Sequence, residues 1–142
     1  MNELEQRQMV ITEALTWLNT PYHLNAKIKG VGVDCGTLLM ACFENTGLIE
    51  PASLGTFTPD FHLHRGDEVY INWLKKYCHP VKEASSGDII VYRFGRIFAH
   101  GALVIEWPKM IHCYLHRGVI FGDATDTALQ GRKAEIWSFW GN

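Results

Sequence analysis

The chain has 142 residues, of which 47% are hydrophobic and 20% charged, and its formal net charge at pH 7 is -2. This balance is typical of a soluble globular protein, and the length favours a single domain, residues 1–142, over two. It lacks the basic excess that binding to nucleic acid requires. The start is polar and acidic and no long apolar stretch follows, so we expect a protein made in the cytoplasm without a signal peptide or membrane span.

The first half of the chain has helical patterns. Apolar residues recur at helical spacing over Glu3–Asn19, so we predict a helix that ends before a Thr-Pro pair. Tyr22–Val33 has two glycines and little periodicity, which predicts a loop or an irregular strand. A second helix is predicted over Cys35–Asn45, with Asp34 as its N-cap and Gly47 as its stop.

The second half changes to strand patterns. Residues 50–66 hold two prolines and two glycines without a period, which predicts a long surface connection, and Asp67–Tyr77 is predicted as a third helix. Because helices come first and strands second, the order predicts an α+β domain with helices packed on an antiparallel sheet. The predicted strands are Ile89–Phe94, Phe98–Trp107, Met110–Leu115, Val119–Phe121 and Ala134–Phe139.

Four cysteines lie at irregular intervals without a C-x-x-C pair, which favours reduced thiols over disulfides. Cys35 opens a predicted helix, where unpaired N–H groups and the helix dipole favour the thiolate. This placement makes Cys35 a candidate nucleophile. The other three, Cys42, Cys78 and Cys113, are expected to be structural.

Two histidines are candidate partners for this thiol. On a regular strand, His100 shares a face with Ala102 and Val104, and the small residues after His100 leave room for the Cys35 helix. His112 lies an even number of residues further on. A hairpin therefore places both histidines on one side of the sheet, and we expect a bulge to break that parity. A nucleophile, a base and a group that orients the base are what a thiol enzyme needs.

Three blocks of the sequence resemble a known family in their order and spacing. They are "TPYHLNAKIKGVGVDCGTLLMACFENTGLI", "GDIIVYRF" and "HGALVIEWPKMIHC", and they resemble the NlpC-type cell-wall peptidases. Within that family, the resemblance is to the short versions that prophages and gene transfer agents encode as tail-associated proteins. It covers roughly residues 7 to 121 and implies a papain-like α+β fold.

The resemblance also implies roles for particular residues. Cys35 would attack a peptide carbonyl, His100 would act as base and then as acid, and His112 would orient His100. Tyr22 would contribute its hydroxyl to the oxyanion site with the Cys35 backbone N–H, and Asp34 matches the acidic residue before the family's cysteine. Family members cut the bond between D-glutamate and a diamino acid in peptidoglycan stem peptides, which implies water as second substrate and neither cofactor nor metal.

The sequence departs from the family pattern beside the nucleophile. Family members have a serine and then a glycine after the cysteine, whereas this chain has Gly36 and Thr37. The hydroxyl that family members use near the substrate is therefore missing or displaced by one position. The chain carries no wall-anchoring module, so the resemblance implies delivery by a phage-type tail, with tail proteins as partners and the virion tail as its location.

Alternative functions use the same fold or other residues. The chain is alternatively a noncatalytic tail-assembly module, or an amidase or acyltransferase with the same Cys-His-His site. A zinc site would need four ligands from His62, His64, Cys78 and His79, whose spacing matches no compact zinc pattern.

Further polar and aromatic residues have ordinary interpretations. A glycosidase would need Asp123 and Asp126 paired across a cleft, with the pKa of one of them raised. His23 and His116 are interpreted as surface or substrate-rim residues. The aromatic residues near the C-terminus are predicted to pack in the core and not to stack on carbohydrate; they are Trp137, Phe139 and Trp140.

Overall fold

The computed structural model of the protein describes residues 1–51, 66–94 and 97–141. Its three helices are α1 (Glu3–Leu15), α2 (Cys35–Glu44) and α3 (Gly66–Tyr77). Its strands are β1 (Lys27–Ile28), β2 (Gly32–Val33), β3 (His79–Val81), β4 (Ile89–Phe94), β5 (Ile97–Glu106), β6 (Lys109–Tyr114), β7 (Gly118–Asp123) and β8 (Ala134–Ser138).

Strands β3 to β8 form one antiparallel sheet in the order β3-β8-β4-β5-β6-β7, while β1 and β2 pair as a separate small hairpin. The predicted α+β class is confirmed. Strand β3 was absent from the prediction because three residues that include a proline carry no alternating pattern. It forms because the end of the chain supplies a partner, with His79 opposite Ser138.

Helix α1 is shorter than the sequence predicts. Asn2 caps its start by accepting a hydrogen bond from the N–H of Glu5, but the helix ends at Leu15 and not at Asn19. The residues after Leu15 form turns, and Asn19 has a left-handed φ of 70° that no helix accommodates. Trp17 nevertheless packs in the core, which is why the apolar pattern continued past the helix.

All ten residues of α2 are buried, and the helix packs on one face of the sheet. Leu103, Ile111 and Cys113 form part of that face, and the C-terminal Trp137 and Trp140 pack in the same core, as predicted. The core packing of the aromatic residues explains their alternation without any carbohydrate.

The prediction that α2 packs on the face of the sheet that carries Ala102 and Val104 is wrong. Ala102 and Val104 lie on the opposite face, in a second cluster that includes Tyr92 and Leu129. Helix α2 packs instead on the face that alternation gives to Leu103 and its neighbours.

An ion pair fastens α1 to the sheet. Arg7 Nη1 lies 2.9 Å from Oδ1 of Asp88, just before β4, and donates to the carbonyl of Ser86 at 2.8 Å. The guanidinium also lies over the ring of Trp140, 4.5 Å from its centroid. The Asp88 side chain is 2% exposed, so its end of the ion pair is buried, and the contact with Trp140 joins the two ends of the chain.

Part of the predicted surface connection, including His62 and His64, lies outside the described residues, so the zinc hypothesis rests on residues of which two are not described. Within the described ranges, no three His, Cys, Asp or Glu side chains converge as metal ligands would. None of the helices described there is both long and apolar enough to cross a membrane.

Candidate active site

The start of α2 is built around the Asp34 carboxylate. Its Oδ1 accepts from the backbone N–H groups of Gly36 and Thr37, both at 2.9 Å, and its Oδ2 accepts from the N–H of Asn25 at 2.7 Å. The predicted N-cap is confirmed. Because the carboxylate also holds the preceding loop, it sets where Cys35, the first helical residue, is placed.

Thr37 completes a capping box at this helix start. Its hydroxyl oxygen accepts from the N–H of Asp34 at 2.9 Å, and the same hydroxyl donates to the carbonyl of Ala26 at 2.6 Å. The Thr37 side chain is thus engaged with the backbone on both sides, and the residue is 2% exposed. Its geometry is that of a residue that holds the helix start.

Cys35 is 8% exposed and lies beside strand β6. The Cys113 thiol on that strand donates to the carbonyl of Val33 at 3.3 Å, which brings β6 against the start of α2. The charges of Cys35 and Asp34 reach both Tyr22 and Cys113 and help to raise the pKa of each to about 12, although burial is the larger cause.

The loop that carries Tyr22 is fixed to the same place. Val33 donates its N–H to the carbonyl of Pro21 at 3.1 Å, and His23 donates to the carbonyl of Val33 at 2.9 Å. Tyr22 therefore lies between two backbone hydrogen bonds, in a bridge with Val33. Tyr22 thus lies near Asp34 and Cys35, both of which act electrostatically on its hydroxyl.

His100 and His112 meet on adjacent strands. Nε2 of His100 lies 2.9 Å from Nδ1 of His112 in a buried hydrogen bond, and the two residues are 5% and 1% exposed. The predicted placement of both histidines on one side of the sheet is confirmed.

The prediction that a bulge would move the two histidines to opposite faces is wrong. In the structure, a bulge in β5 is what places them on the same face. At the turn, Glu106 pairs with Lys109, and this register alone would set His112 opposite Leu103, on the other face from His100. A shift between Val104 and Glu106 restores an even register, in which Leu103 pairs with Ile111.

Aromatic contacts hold the two imidazoles. The ring of Tyr114 stacks on His100 with centroids 4.6 Å apart and an interplanar angle of 5°, and it lies 4.3 Å from the His112 centroid. Tyr114 was not among the predicted site residues. The signal was present, since Tyr114 follows His112 by two positions in the same strand and so shares its face.

A glycine forms the other wall around His112. A Cβ placed on Gly122 would lie 2.5 Å from Nε2 of His112, closer than any ordinary contact. Gly122 is opposite Met110 in the neighbouring strand, two residues from His112. A larger residue there would displace the imidazole, so Gly122 belongs to the site as well.

Burial keeps both imidazoles neutral near pH 7. Removal from water and, to a smaller extent, the nearby His112 lower the pKa of His100 to about 3. Burial also lowers the pKa of His112 to about 4, against an opposing effect of Asp126. A neutral imidazole can accept a proton, which is the state a general base requires.

The glycosidase alternative finds no support in the acidic pair. Asp123 accepts from the N–H and hydroxyl of Thr125, and these bonds lower the pKa of its carboxyl. A glycosidase acid needs the opposite shift. The two aspartates are also joined across the turn, since the N–H of Asp123 donates to Asp126 at 3.3 Å.

The remaining cysteines pack in or against the core, and their thiols have raised pKa values. Cys42 is 0% exposed, and Cys113 is buried on the α2 side of the sheet, as predicted. Burial raises the pKa of the Cys42 and Cys78 thiols, that of Cys78 to about 12. His116 lies exposed in the β6–β7 turn, with a left-handed φ of 70°, which agrees with its interpretation as a surface residue.

The fold is a papain-like α+β fold of the NlpC/p60 type. Its six-stranded antiparallel sheet carries the histidine pair and packs on a helix that begins with a cysteine. No protein-family model matches the sequence, and no curated protein does.

Solved structures show the same fold at low identity. The NlpC/p60 domain of the peptidoglycan hydrolase SagA is 17% identical and superposes with a TM-score of 0.59, over 92% of this chain and 97% of that one. RipB, a peptidoglycan hydrolase of Mycobacterium tuberculosis, is 18% identical with a TM-score of 0.65, over 100% of this chain and 70% of RipB.

A third neighbour has the fold without the activity. RipD of M. tuberculosis, described as a non-catalytic NlpC/p60 protein adapted to peptidoglycan binding, is 18% identical with a TM-score of 0.61, over 94% of this chain and 96% of RipD. Against several other solved neighbours, this chain spans only 39 to 50% of their length.

Proposed function

We propose that the chain is a cysteine peptidase that hydrolyses peptidoglycan stem peptides, at the bond between D-glutamate and a diamino acid, through a thioester intermediate. The observation that carries this proposal is the buried pair of His100 and His112, joined by a 2.9 Å hydrogen bond between Nε2 and Nδ1. The proposal requires the Cys35 thiol to reach Nδ1 of His100. A base held by a third group is the arrangement that activates a nucleophile. The solved neighbours described as peptidoglycan hydrolases support the substrate class.

The hydrogen bond sets the tautomers that the mechanism needs. If Nδ1 of His100 is to accept the thiol proton, Nε2 must carry the ring hydrogen and donate it to Nδ1 of His112. His112 then carries its own hydrogen on Nε2, the atom that faces Gly122. In this proposal, His112 acts through His100 and is a positioning residue.

In the acylation step, the Cys35 proton passes to Nδ1 of His100 and the sulfur electron pair forms the C–S bond. The carbonyl π electrons move onto oxygen. When this oxyanion collapses, the C–N bond breaks and the leaving amine takes the proton from His100, which leaves a thioester on Cys35. In the second step, water gives a proton to His100 and attacks the thioester, and the proton returns to the sulfur as the acid is released.

The proposed oxyanion donors are the backbone N–H of Cys35 and the hydroxyl of Tyr22. Asp34 already accepts the N–H groups of Gly36 and Thr37, so these two serve the helix cap. Burial, with the charges of Asp34, Cys35 and Cys113, raises the Tyr22 pKa to about 12, so the hydroxyl keeps its proton at neutral pH and can donate.

The proposal extends to how the enzyme reaches its substrate. We propose delivery by a phage-type tail, with tail proteins as partners, because the sequence resembles the short tail-associated versions of the family. The chemistry uses a thiol, an imidazole pair and water, and none of its proposed steps calls for a cofactor or a metal.

The test combines thiol labelling with muropeptide digestion. We expect iodoacetamide to modify Cys35 before the other cysteines, because burial raises the pKa of each of those thiols. Cys35→Ser should abolish release of stem-peptide fragments without loss of fold, whereas His112→Ala should retain measurable turnover. Equal turnover by the wild type and the Cys35→Ser variant would overturn the assignment.

The second candidate function is a noncatalytic binding or assembly module, which the example of RipD favours. Slow, unselective labelling together with no released fragments would support it. Masses of the released products would separate a peptidase from an amidase or acyltransferase that uses the same three residues.

A further inference from the structure

A pocket of about 360 Å³ lies beside Tyr22. We call it the turn pocket, because the β6–β7 turn forms one wall and the loop before β1 forms the other. Its lining is Asn19, Pro21, Tyr22 and Leu115–Gly118. Tyr22 is shared with the proposed active site, so a molecule in the turn pocket would lie next to the proposed oxyanion donors.

Backbone contacts hold the two walls together. Gly118 has a φ of +75°, and a Cβ there would lie 2.4 Å from the carbonyl oxygen of Thr20. Val119 donates its N–H to that same oxygen at 2.9 Å, and Asn19 donates to the carbonyl of Val119 at 3.0 Å. The turn is therefore fixed against the opposite wall, and the pocket exists before any ligand binds.

Arg117 presents positive charge at the pocket. Arg117 and His116 are both exposed, and the N–H of Arg117 donates to the carbonyl of Tyr114 at the base of the turn. Among the residues that the structure describes, no carboxylate lies within ion-pair distance of Arg117. Arg117 is one of the residues that line this preformed pocket. A guanidinium is suited to bind a carboxylate, because its paired N–H groups match the two oxygens.

We propose that the turn pocket binds a substrate carboxylate and that Arg117 determines specificity for it. The inference rests on the proposed function, which supplies the ligand. A glutamate joined to the next residue through its side-chain carboxyl keeps a free α-carboxylate close to the scissile bond. Arg117 would therefore favour stem peptides with this free carboxylate over those in which it is an amide.

The test compares two peptides that differ in this one group. L-Ala-γ-D-Glu-diaminopimelate and its D-isoglutamine counterpart are titrated into the Cys35→Ala protein by calorimetry, so that no hydrolysis occurs. We expect Arg117→Ala, in this background, to weaken binding of the carboxylate peptide about tenfold, the low end for a hydrogen bond to a charged group. Binding of the amide peptide should change less than twofold.

Two further variants serve as controls. Arg117→Lys should restore part of the preference, since lysine keeps the charge without the paired N–H groups. Lys82→Ala removes an exposed charge just after β3, at the opposite edge of the sheet, and should leave both affinities unchanged. Equal losses for the two peptides on Arg117→Ala, no loss for either, or no binding of either peptide would overturn the inference.

Hydrolysis by the protein with Cys35 intact is measured separately. If neither peptide is cleaved but the Cys35→Ala protein still loses its carboxylate preference on Arg117→Ala, the peptidase proposal fails and the pocket assignment stands. If both peptides are cleaved with equal kcat/KM by wild type and Arg117→Ala, and the affinities are equal too, the peptidase stands and the pocket assignment fails.

Discussion

Gly122 lies against the imidazole of His112, which makes Gly122→Ala a direct perturbation of the histidine pair. A Cβ at this position would be 2.5 Å from Nε2 and 2.7 Å from Cε1 of His112. The new methyl group projects from a strand, so the ring has to move. The ring is enclosed on its other side by the His100 hydrogen bond at 2.9 Å and the Tyr114 contact.

The size of the effect follows from these distances. Ordinary contact begins near 3.4 Å, so Nε2 must move by about 0.9 Å, which is enough to break or lengthen the bond to His100. A misplacement of about 1 Å costs on the order of 100-fold in rate. Overpacking at a buried site should also lower the free energy of unfolding by about 1–3 kcal/mol.

The assay measures kcat/KM on a stem peptide and the rate of Cys35 alkylation, beside urea unfolding. The matched control is Gly131→Ala, where the φ of +89° strains an alanine by about 1–2 kcal/mol and a Cβ meets nothing within 4 Å. Both variants should lose stability, but Gly122→Ala alone should lose activity about 100-fold. Unchanged kcat/KM in Gly122→Ala would refute the role of His112 in positioning His100.

Three other outcomes are expected. Asp34→Ala removes a cap that accepts three backbone N–H groups and should lower the free energy of unfolding by about 2–4 kcal/mol in urea titrations; a loss within 0.5 kcal/mol, roughly the scatter of surface substitutions, would contradict this account. Arg7→Met leaves the buried Asp88 carboxylate without its ion pair and should cost about 3 kcal/mol, measured in the same way, whereas an unchanged midpoint would show that the pair does not fasten α1. The depressed pKa values of His100 and His112, about 3 and about 4 against 6.5, mean that the unfolded chain binds more protons below pH 6.5. Stability should therefore fall as the pH falls from 6 to 4, by at most about 1.4 kcal/mol per pH unit for each histidine, and unfolding free energies that stay constant over this range would contradict the burial of neutral imidazoles.

Local signals in the sequence were sufficient for the elements and for the start of α2. Asp34 caps the helix through contacts to residues two and three positions away, so its role follows from neighbouring letters. The alternation of β6 likewise predicts that Cys113 faces away from His112 and packs. The end of α1 was not predictable in this way, because Trp17 continues the apolar pattern from a turn that only the core explains.

The sequence by itself determined the helix start at Cys35, the α+β order and the choice of His100 and His112 as candidates, because each depends on spacing along one element. The tertiary structure decided which face of the sheet each side chain occupies. A single extra residue between Val104 and Glu106 resets the strand register, and without it the two imidazoles would lie on opposite faces. Such a bulge is set by how strands pack together, and Tyr114 and Gly122 join the site only across that pairing.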